Sequence, residues 1–536
     1  MNNFPPLWLV ICEKAIMKQP AYKKWVLLLI GVFFIFRLFT AAVLELGNDE
    51  SYYWLYSRQL QWNYFDHPPL IALWVRISTL NGLLTDFEAA IRLGSIVSCA
   101  CATWFLFKTV SLIKDERAGW FAACLLNASF YAGLVAGLMV MPDSPQLFFW
   151  TLCLWQLARL LQDDRNKWTW VLFGVSAGLC IMSKLHGVFL LTGFVLFALL
   201  KKRNWLHQPL FYISILIALL ITTPLLVWNL NHDFNSLRFH SNRVDITETQ
   251  PAKDSFWLET VSQVIITNPV NFILIAISLV WSVGRRNLHP LLTACHFIAL
   301  PFIAFVVFLS LFRDIWFHWT GPAFISLLPL AAVHLAEYNK LALFPRVLKW
   351  STALLVLVLA GWPLAVHYYP GTYGQRHHQM MGQDDVTLDK FGWESSGHDF
   401  AVLYNDAIKK KIIAPATPVV CPTWWGAHIE YYFARVAGAP VIGLGDSIRL
   451  GQYNWLNKKR LPLADMDTAL LIEPSIEYGK ATDFHHEYYN KLERLYTLTV
   501  YRNGKAAYNF NVSRLTGWKG INGDNKSTML AQQKEH

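Results

Sequence analysis

Long apolar runs separated by short charged connectors fill the first two thirds of the chain. The first, residues 25–44, is about long enough to cross a ~30 Å hydrocarbon layer at ~1.5 Å per helical residue. Comparable runs follow at roughly 89–112, 118–140, 144–161, 168–182, 186–200, 209–228, 262–283, 291–312, 317–337 and 347–367, which predicts about eleven or more spans. A shorter run, 68–84, opens on Pro68-Pro69 and is broken by Arg76 and Asn81, a pattern that suits an amphipathic helix lying at the interface. From about Tyr368 the pattern changes to that of a soluble chain. Apolar runs at 418–421, 440–444 and 468–472 alternate with a helical stretch at 425–437, predicting an α/β unit. Two further runs flank Asn503-Gly504, a strong short-range hairpin signal. The expected fold is mainly α, a polytopic membrane helix bundle carrying a C-terminal soluble α/β domain. Its parts are an N-terminal segment 1–24, a membrane unit 25–367 with an outer loop 45–88, the soluble unit 368–515, and a polar, disordered tail 516–536.

The connectors alternate in charge. One set carries Lys114 and Arg117, Arg165 and Lys167, Lys201-Lys202-Arg203, Arg285-Arg286, and Lys340 with Arg346. The other holds Asp49-Glu50, Met141-Pro142-Asp143, Ser183-Lys184-Leu185-His186, the 229–260 loop and Arg313-Asp314. Excess Lys and Arg mark cytoplasmic loops, so the first set faces the cytoplasm and the second the opposite side. Lysines before residue 25 place the N-terminus inside, and an odd number of spans then delivers the soluble unit outside. Arg37 lies within the first span, where an unpaired charge costs ~3 kcal/mol or more, so it is expected to face the bundle and meet a carboxylate or carbonyl.

Composition agrees with a membrane protein. Hydrophobic residues make up 54% and charged residues 15%, against ~25% charged in soluble domains. The net charge of +10 is accounted for by cytoplasmic loops, so no nucleic-acid partner is implied. Of the eight cysteines, Cys99, Cys101, Cys124, Cys153, Cys180 and Cys295 fall inside apolar runs, Cys12 precedes them, and Cys421 alone lies in the soluble unit. That is neither a disulfide framework nor a zinc spacing.

Candidate chemistry gathers on the outer side. Asp49 and Glu50 are adjacent, and two like charges side by side raise one pKa and make a better proton acceptor. A structural role competes: Asp49 can cap a helix over 50–60 with Glu50 supporting its first turn. Asp143 sits at the outer end of a span, where it either caps the helix or holds an acceptor or a metal. Lys184 and His186 interrupt apolar sequence at the same face, joined by His67, Arg238, His240 and Arg243. Fixed cations there stabilise charge developing on a departing phosphate. Paired acids can also hold Mg2+ or Mn2+, and the spacing alone does not choose between metal binding and acid–base work.

With these residues in place, the chain resembles GT-C class membrane glycosyltransferases, in particular bacterial relatives of dolichyl-phosphate-mannose protein mannosyltransferases and the lipid A aminoarabinose transferases. The resemblance covers roughly 25–340. It rests on Asn48-Asp49-Glu50-Ser51-Tyr52-Tyr53-Trp54, Asp66-His67-Pro68-Pro69-Leu70, Met141-Pro142-Asp143 and Ser183-Lys184-Leu185-His186, with 224–229 and 318–322 as later blocks. It implies Asp49 as catalytic base with Glu50 beside it, Asp143 as the second-loop acid, and a donor-phosphate contact at the position of His67, where a lysine is usual. The implied partners are a polyprenyl-phosphate-linked sugar, a lipid, glycan or protein acceptor, and membrane lipids, at a bacterial inner membrane. A multi-span transporter of a small solute or lipid is the alternative, since transporters also hold ionisable residues in their membrane part. The clustering of charges at span ends on one side favours the enzyme.

Overall fold

The computed structural model describes residues 22–246, 253–339, 342–460, 466–477 and 484–520. Most of the expected segment 1–24, with Cys12, and the end of the expected tail lie outside these residues. A helix occupies every window read as a span, but not always a full-length one. Among the described residues, Tyr22–Val43, Glu88–Ile113, Pro209–Leu230, Pro290–Ser310 and Arg346–Tyr368 are each long and apolar enough to cross a membrane. A sixth span arises if the bent pair ending at Ser282 counts as one. Eleven independent spans are therefore not what length and composition alone support.

Two breaks have local causes. The run at 118–140 stops as a helix at Ala128 and continues through a π turn, Tyr131–Val135. The run at 262–283 bends by 99° at Asn268-Pro269. Pro269 has no N–H for the preceding turn, and Asn268 adopts a left-handed φ of 76° while its side chain caps Val270 N. The interfacial segment forms a nine-residue helix, Leu70–Ser78, with Leu70, Ile71, Ala72 and Val75 buried and Ile77 outward. Arg37 meets the expectation set for it. Its Nε donates to Gly133 O at 3.0 Å and its Nη1 to Asn127 Oδ1 at 3.2 Å, so the π turn supplies the carbonyl.

The soluble unit contains a five-stranded sheet ordered β2-β1-β3-β5-β4. The strands are β1 Val419–Cys421, β2 Val441–Gly443, β3 Thr468–Pro474, β4 Tyr489–Arg502 and β5 Lys505–Trp518. The first three pair in parallel, with β1 central, and β4–β5 form an antiparallel hairpin added to β3. Asn503 and Gly504 both take positive φ, the geometry a two-residue hairpin turn needs. Both hairpin strands outrun the apolar stretches that announced them. β5 pairs Trp518 with Tyr489 and packs its indole on Tyr488 and Tyr489, so the tail cannot begin at 516 as expected. A buried ion pair, Arg502 to Asp385 at 2.8 Å, fixes the hairpin to the segment leaving the last membrane helix. The seven cysteines described are unpaired thiols.

Candidate active site

The outer loop folds back under the soluble unit. Residues Asn48–Arg58 form a helix whose N-cap is Gly47, and the reciprocal bond comes from Glu50, whose Oε2 accepts from Gly47 N at 3.0 Å. Gly47 has no room for a side chain: a Cβ there would lie 2.7 Å from Lys390 Nζ and closer still to Asp389 Oδ2. The capping expected of Asp49 therefore falls to its neighbour. Glu50 also receives Arg92 Nε and Nη2, both at 2.7 Å, Val140 N at 3.1 Å, and Lys390 Nζ. At 1% exposure, and held well below the usual carboxylate range by Arg92 and Lys390 despite its burial, it is a poor proton acceptor. Glu50, expected beside Asp49 among the catalytic acids, is instead taken up in ion pairs that clamp together the loop, a membrane helix and the soluble unit.

Asp49 faces the other way. It lines a cavity of about 1140 Å3 together with Asp66, His67, Asp143, Lys184, His186 and Arg243. Every expected site residue except Glu50 is brought to this one space. Arg238, grouped with them in the sequence, is exposed outside it. None of the ion pairs among the described residues engages Asp49. Its surroundings push its carboxyl up to about 7, through desolvation first and then the nearby acids Asp389 and Asp66, partly offset by Lys390. Asp66, which carries no separate role in the sequence reading, accepts from Tyr56 OH and is raised by burial to about 6.

The cations differ in availability. Lys184 Nζ lies 2.8 and 3.0 Å from the two oxygens of Asp143, which also accepts from Tyr131 OH at 3.1 Å and has His318 Nε2 at 3.8 Å. Asp143 thus does not cap its helix, whose N-cap is Pro142, and both of its oxygens are engaged by Lys184. Among the described residues no group of three or more His, Cys, Asp and Glu is placed to hold a metal ion. Arg243 is stacked over Phe239 at 5.0 Å and Trp319 at 5.8 Å, with Asp66 the carboxylate whose charge it feels. His67, which stands where a lysine is usual, is held well below its ordinary value by burial and by Lys184, His240 and Arg243, so it is neutral. His186 packs against Trp319 and Phe302, and its Nδ1 has no hydrogen-bond partner among the described residues.

Two walls complete the cavity. Val188, Leu237, Val244, Phe305 and Trp316 make a flank of outward-lying apolar residues. Thr423, Trp424, Trp425 and Arg449 from the soluble unit roof it. That unit is bonded to the loop directly: Leu46 N to Tyr432 OH, Asn48 N to Asp389 Oδ1 at 3.1 Å, and Gln452 N to Tyr52 OH at 2.9 Å. No periodicity announces residues 389–390, 424–425 or 449, and the sequence reading missed them.

Residues 66–228 match the family model described as dolichyl-phosphate-mannose-protein mannosyltransferase. A 191-residue stretch is 26% identical to the lipid A galacturonosyltransferase RgtD of Rhizobium johnstonii, covering 35% of this chain and 40% of that protein. In fold, the chain is similar to ArnT from Cupriavidus metallidurans bound to undecaprenyl phosphate, with a TM-score of 0.60 and 14% identity over 91% of this chain and 98% of that one. The apo form of the same protein gives 0.59 over 92% and 98%. The matched segment is thus similar in sequence to dolichyl-phosphate-mannose-protein mannosyltransferases and to a lipid A galacturonosyltransferase, and nearly the whole chain shares the fold of ArnT.

Proposed function

We propose that this protein is an inverting glycosyltransferase of the bacterial inner membrane. It moves a hexose or pentose from a polyprenyl-phosphate donor to a hydroxyl or phosphate of an envelope lipid, glycan or protein on the periplasmic face. The N-terminus is cytoplasmic and the soluble unit periplasmic. One observation carries the reading: a single cavity joins a carboxylate that has no ion pair among the described residues and is raised to about 7, the cations Lys184, Arg243 and Arg449, and an apolar flank. Asp49 removes the proton from the acceptor hydroxyl as that oxygen attacks the anomeric carbon. The bond from that carbon to the phosphate oxygen breaks with inversion, and the phosphate leaves with the electron pair. Lys184 and Arg243 receive the developing charge, so no general acid is needed. His67 and His186 add neutral hydrogen bonds to the same group. The flank formed by Val188, Val244 and Phe305 suits the prenyl chain. The similarity to a lipid A galacturonosyltransferase and to an ArnT that binds undecaprenyl phosphate favours this donor and a glycolipid acceptor. A nucleotide sugar does not fit, because such donors are cytoplasmic.

The test is Asp49→Asn, assayed with purified donor and acceptor in a protein shown to be inserted and folded. Loss of a general base lowers turnover by about 10²–10⁴-fold. Near-normal turnover would reject the assignment. A transporter would leave the donor's sugar in place, so release of free polyprenyl phosphate separates the two classes.

A further inference from the structure

The sheet of the soluble unit has a topological switch point. From β1 the chain crosses to β2 on one side and later returns to β3 on the other, so the connections leaving the carboxyl ends of β1 and β3 diverge. Open α/β sheets accept ligands in the crevice this creates. Here the crevice is a cavity of about 230 Å3, bounded by Cys421 and the residues after it on one side and by the end of β3 on the other. It is smaller than the ~300–1,000 Å3 of drug-sized ligand pockets, so it suits one small unit of a larger molecule. Thr423 and Trp425 line both this crevice and the large catalytic cavity, and the two spaces share a wall.

The lining defines the ligand chemistry. Glu473 and Asn511 are register partners on β3 and β5 and both face the crevice, joined by Glu477 and Arg494. Thr497 donates to Asn511 Oδ1 at 3.2 Å, leaving the amide NH2 to donate elsewhere. Carboxylates that accept and an amide that donates match vicinal hydroxyls, while Trp425 offers an apolar wall of the kind sugar rings pack on. Among the described lining residues, two carboxylates stand against one guanidinium, a balance that disfavours a phosphate or an acidic sugar. Burial also raises the Glu473 carboxyl, with Arg494 opposing. The crevice is coupled to the catalytic loop as well: Glu477 Oε1 accepts from Asn48 Nδ2 at 3.2 Å, and Asn48 precedes the base.

We propose that this crevice is an acceptor subsite that binds a neutral or amino-sugar unit next to the glycosylated position and so sets which acceptor reaches Asp49. This rests on reading the chain as a glycosyltransferase with a carbohydrate-containing acceptor. The test uses the full-length protein in lipid nanodiscs and a β1,6-linked glucosamine disaccharide without acyl chains or phosphates, followed by saturation-transfer NMR. Saturation is expected with the wild type and equally with Asp49→Asn, and roughly tenfold weaker with Glu473→Gln and with Glu473→Leu, the scale of a lost charged hydrogen bond. In transfer assays, Glu473→Gln should raise the acceptor KM by a similar factor and leave the donor KM unmoved. No saturation with the wild type, or saturation indifferent to both Glu473 variants in folded protein, overturns the proposal. Tighter binding of the bisphosphorylated disaccharide at the same residues overturns it too. If the disaccharide binds as expected while no donor is ever turned over, it is the transferase reading that fails; if Asp49→Asn abolishes transfer while the disaccharide ignores Glu473, it is the subsite.

Discussion

Glu50→Gln is the perturbation that separates scaffold from chemistry in the first outer loop. The substitution keeps the shape of the side chain but removes the charge between Arg92 and Lys390, which are 2% and 5% exposed. Removing one partner from a buried pair costs ~3–5 kcal/mol, because the other charge stays buried. Arg92 retains the carbonyls of Ala41, Leu44 and Glu45, which argues for the lower end, about 3 kcal/mol. Lys390→Met takes away the second cation, so in the double variant the introduced amide faces one buried charge instead of two. The two costs should then fall short of adding, by roughly 1–2 kcal/mol. Hydrogen–deuterium exchange at the amides of Gly47 and Val140, which both donate to Glu50, reads this locally. A loss of about 3 kcal/mol is on the order of a hundredfold in protection at those two positions. Unchanged exchange, or strictly additive costs, would refute the clamp. A Glu50→Gln protein with intact protection that nonetheless fails to transfer sugar would return Glu50 to the role of base.

With Asp49 titrating at about 7, the transfer kcat/KM should be flat above that pH and fall about tenfold per unit below it, as the base becomes protonated; a profile with no acid limb between pH 5 and 8 would show that another group accepts the proton. Lys184→Met should raise the donor KM by roughly 10–100-fold, the scale of a lost charged hydrogen bond, and should also destabilise the protein through the stranded Asp143; an unchanged KM would remove Lys184 from the phosphate site. Ending the chain after Tyr368 should abolish transfer even where insertion is normal, because Lys390, Trp424 and Arg449 go with it; retained transfer in membranes would make the soluble unit an appendage.

Much of the architecture was legible because the bilayer dictates it. Backbone groups in hydrocarbon must be satisfied within the segment, so apolar length translates into helices, and a helix lies in each of the eleven windows. Less legible was how many of these helices cross the bilayer in full. The bend at Asn268-Pro269 and the π turn after Ala128 are local backbone events that an apolar run does not record. The sheet was legible for a related reason, since short apolar runs between turn residues leave few alternatives. The length of the hairpin was not, because beyond its apolar centre it is held by pairing and by Trp518.

Helix geometry separates the two acids of the first loop only in part. If a helix begins at Asn48, consecutive residues point about 100° apart, so Asp49 and Glu50 need not share one environment. Residues three and four beyond Asp49 share its face, and Tyr52 and Tyr53 do line the cavity with it. The sequence could not say which of the two acids takes the cavity side, because that depends on where the cations lie. Arg92 is 42 residues from Glu50 and Lys390 is 340 residues away, and no spacing rule links them. Five carboxylates converge on this region, and their environments divide them: Glu50 and Asp143 are closed by cations, Asp389 accepts from Asn48 N, while Asp49 and Asp66 are left without an ion pair among the described residues and are raised to about 7 and about 6. A general base must be able to accept a proton at the working pH, so the pairing of the first two is what leaves the chemistry to Asp49 and Asp66. Tyr56 already donates to Asp66, and that bond leaves Asp49 as the freer acceptor.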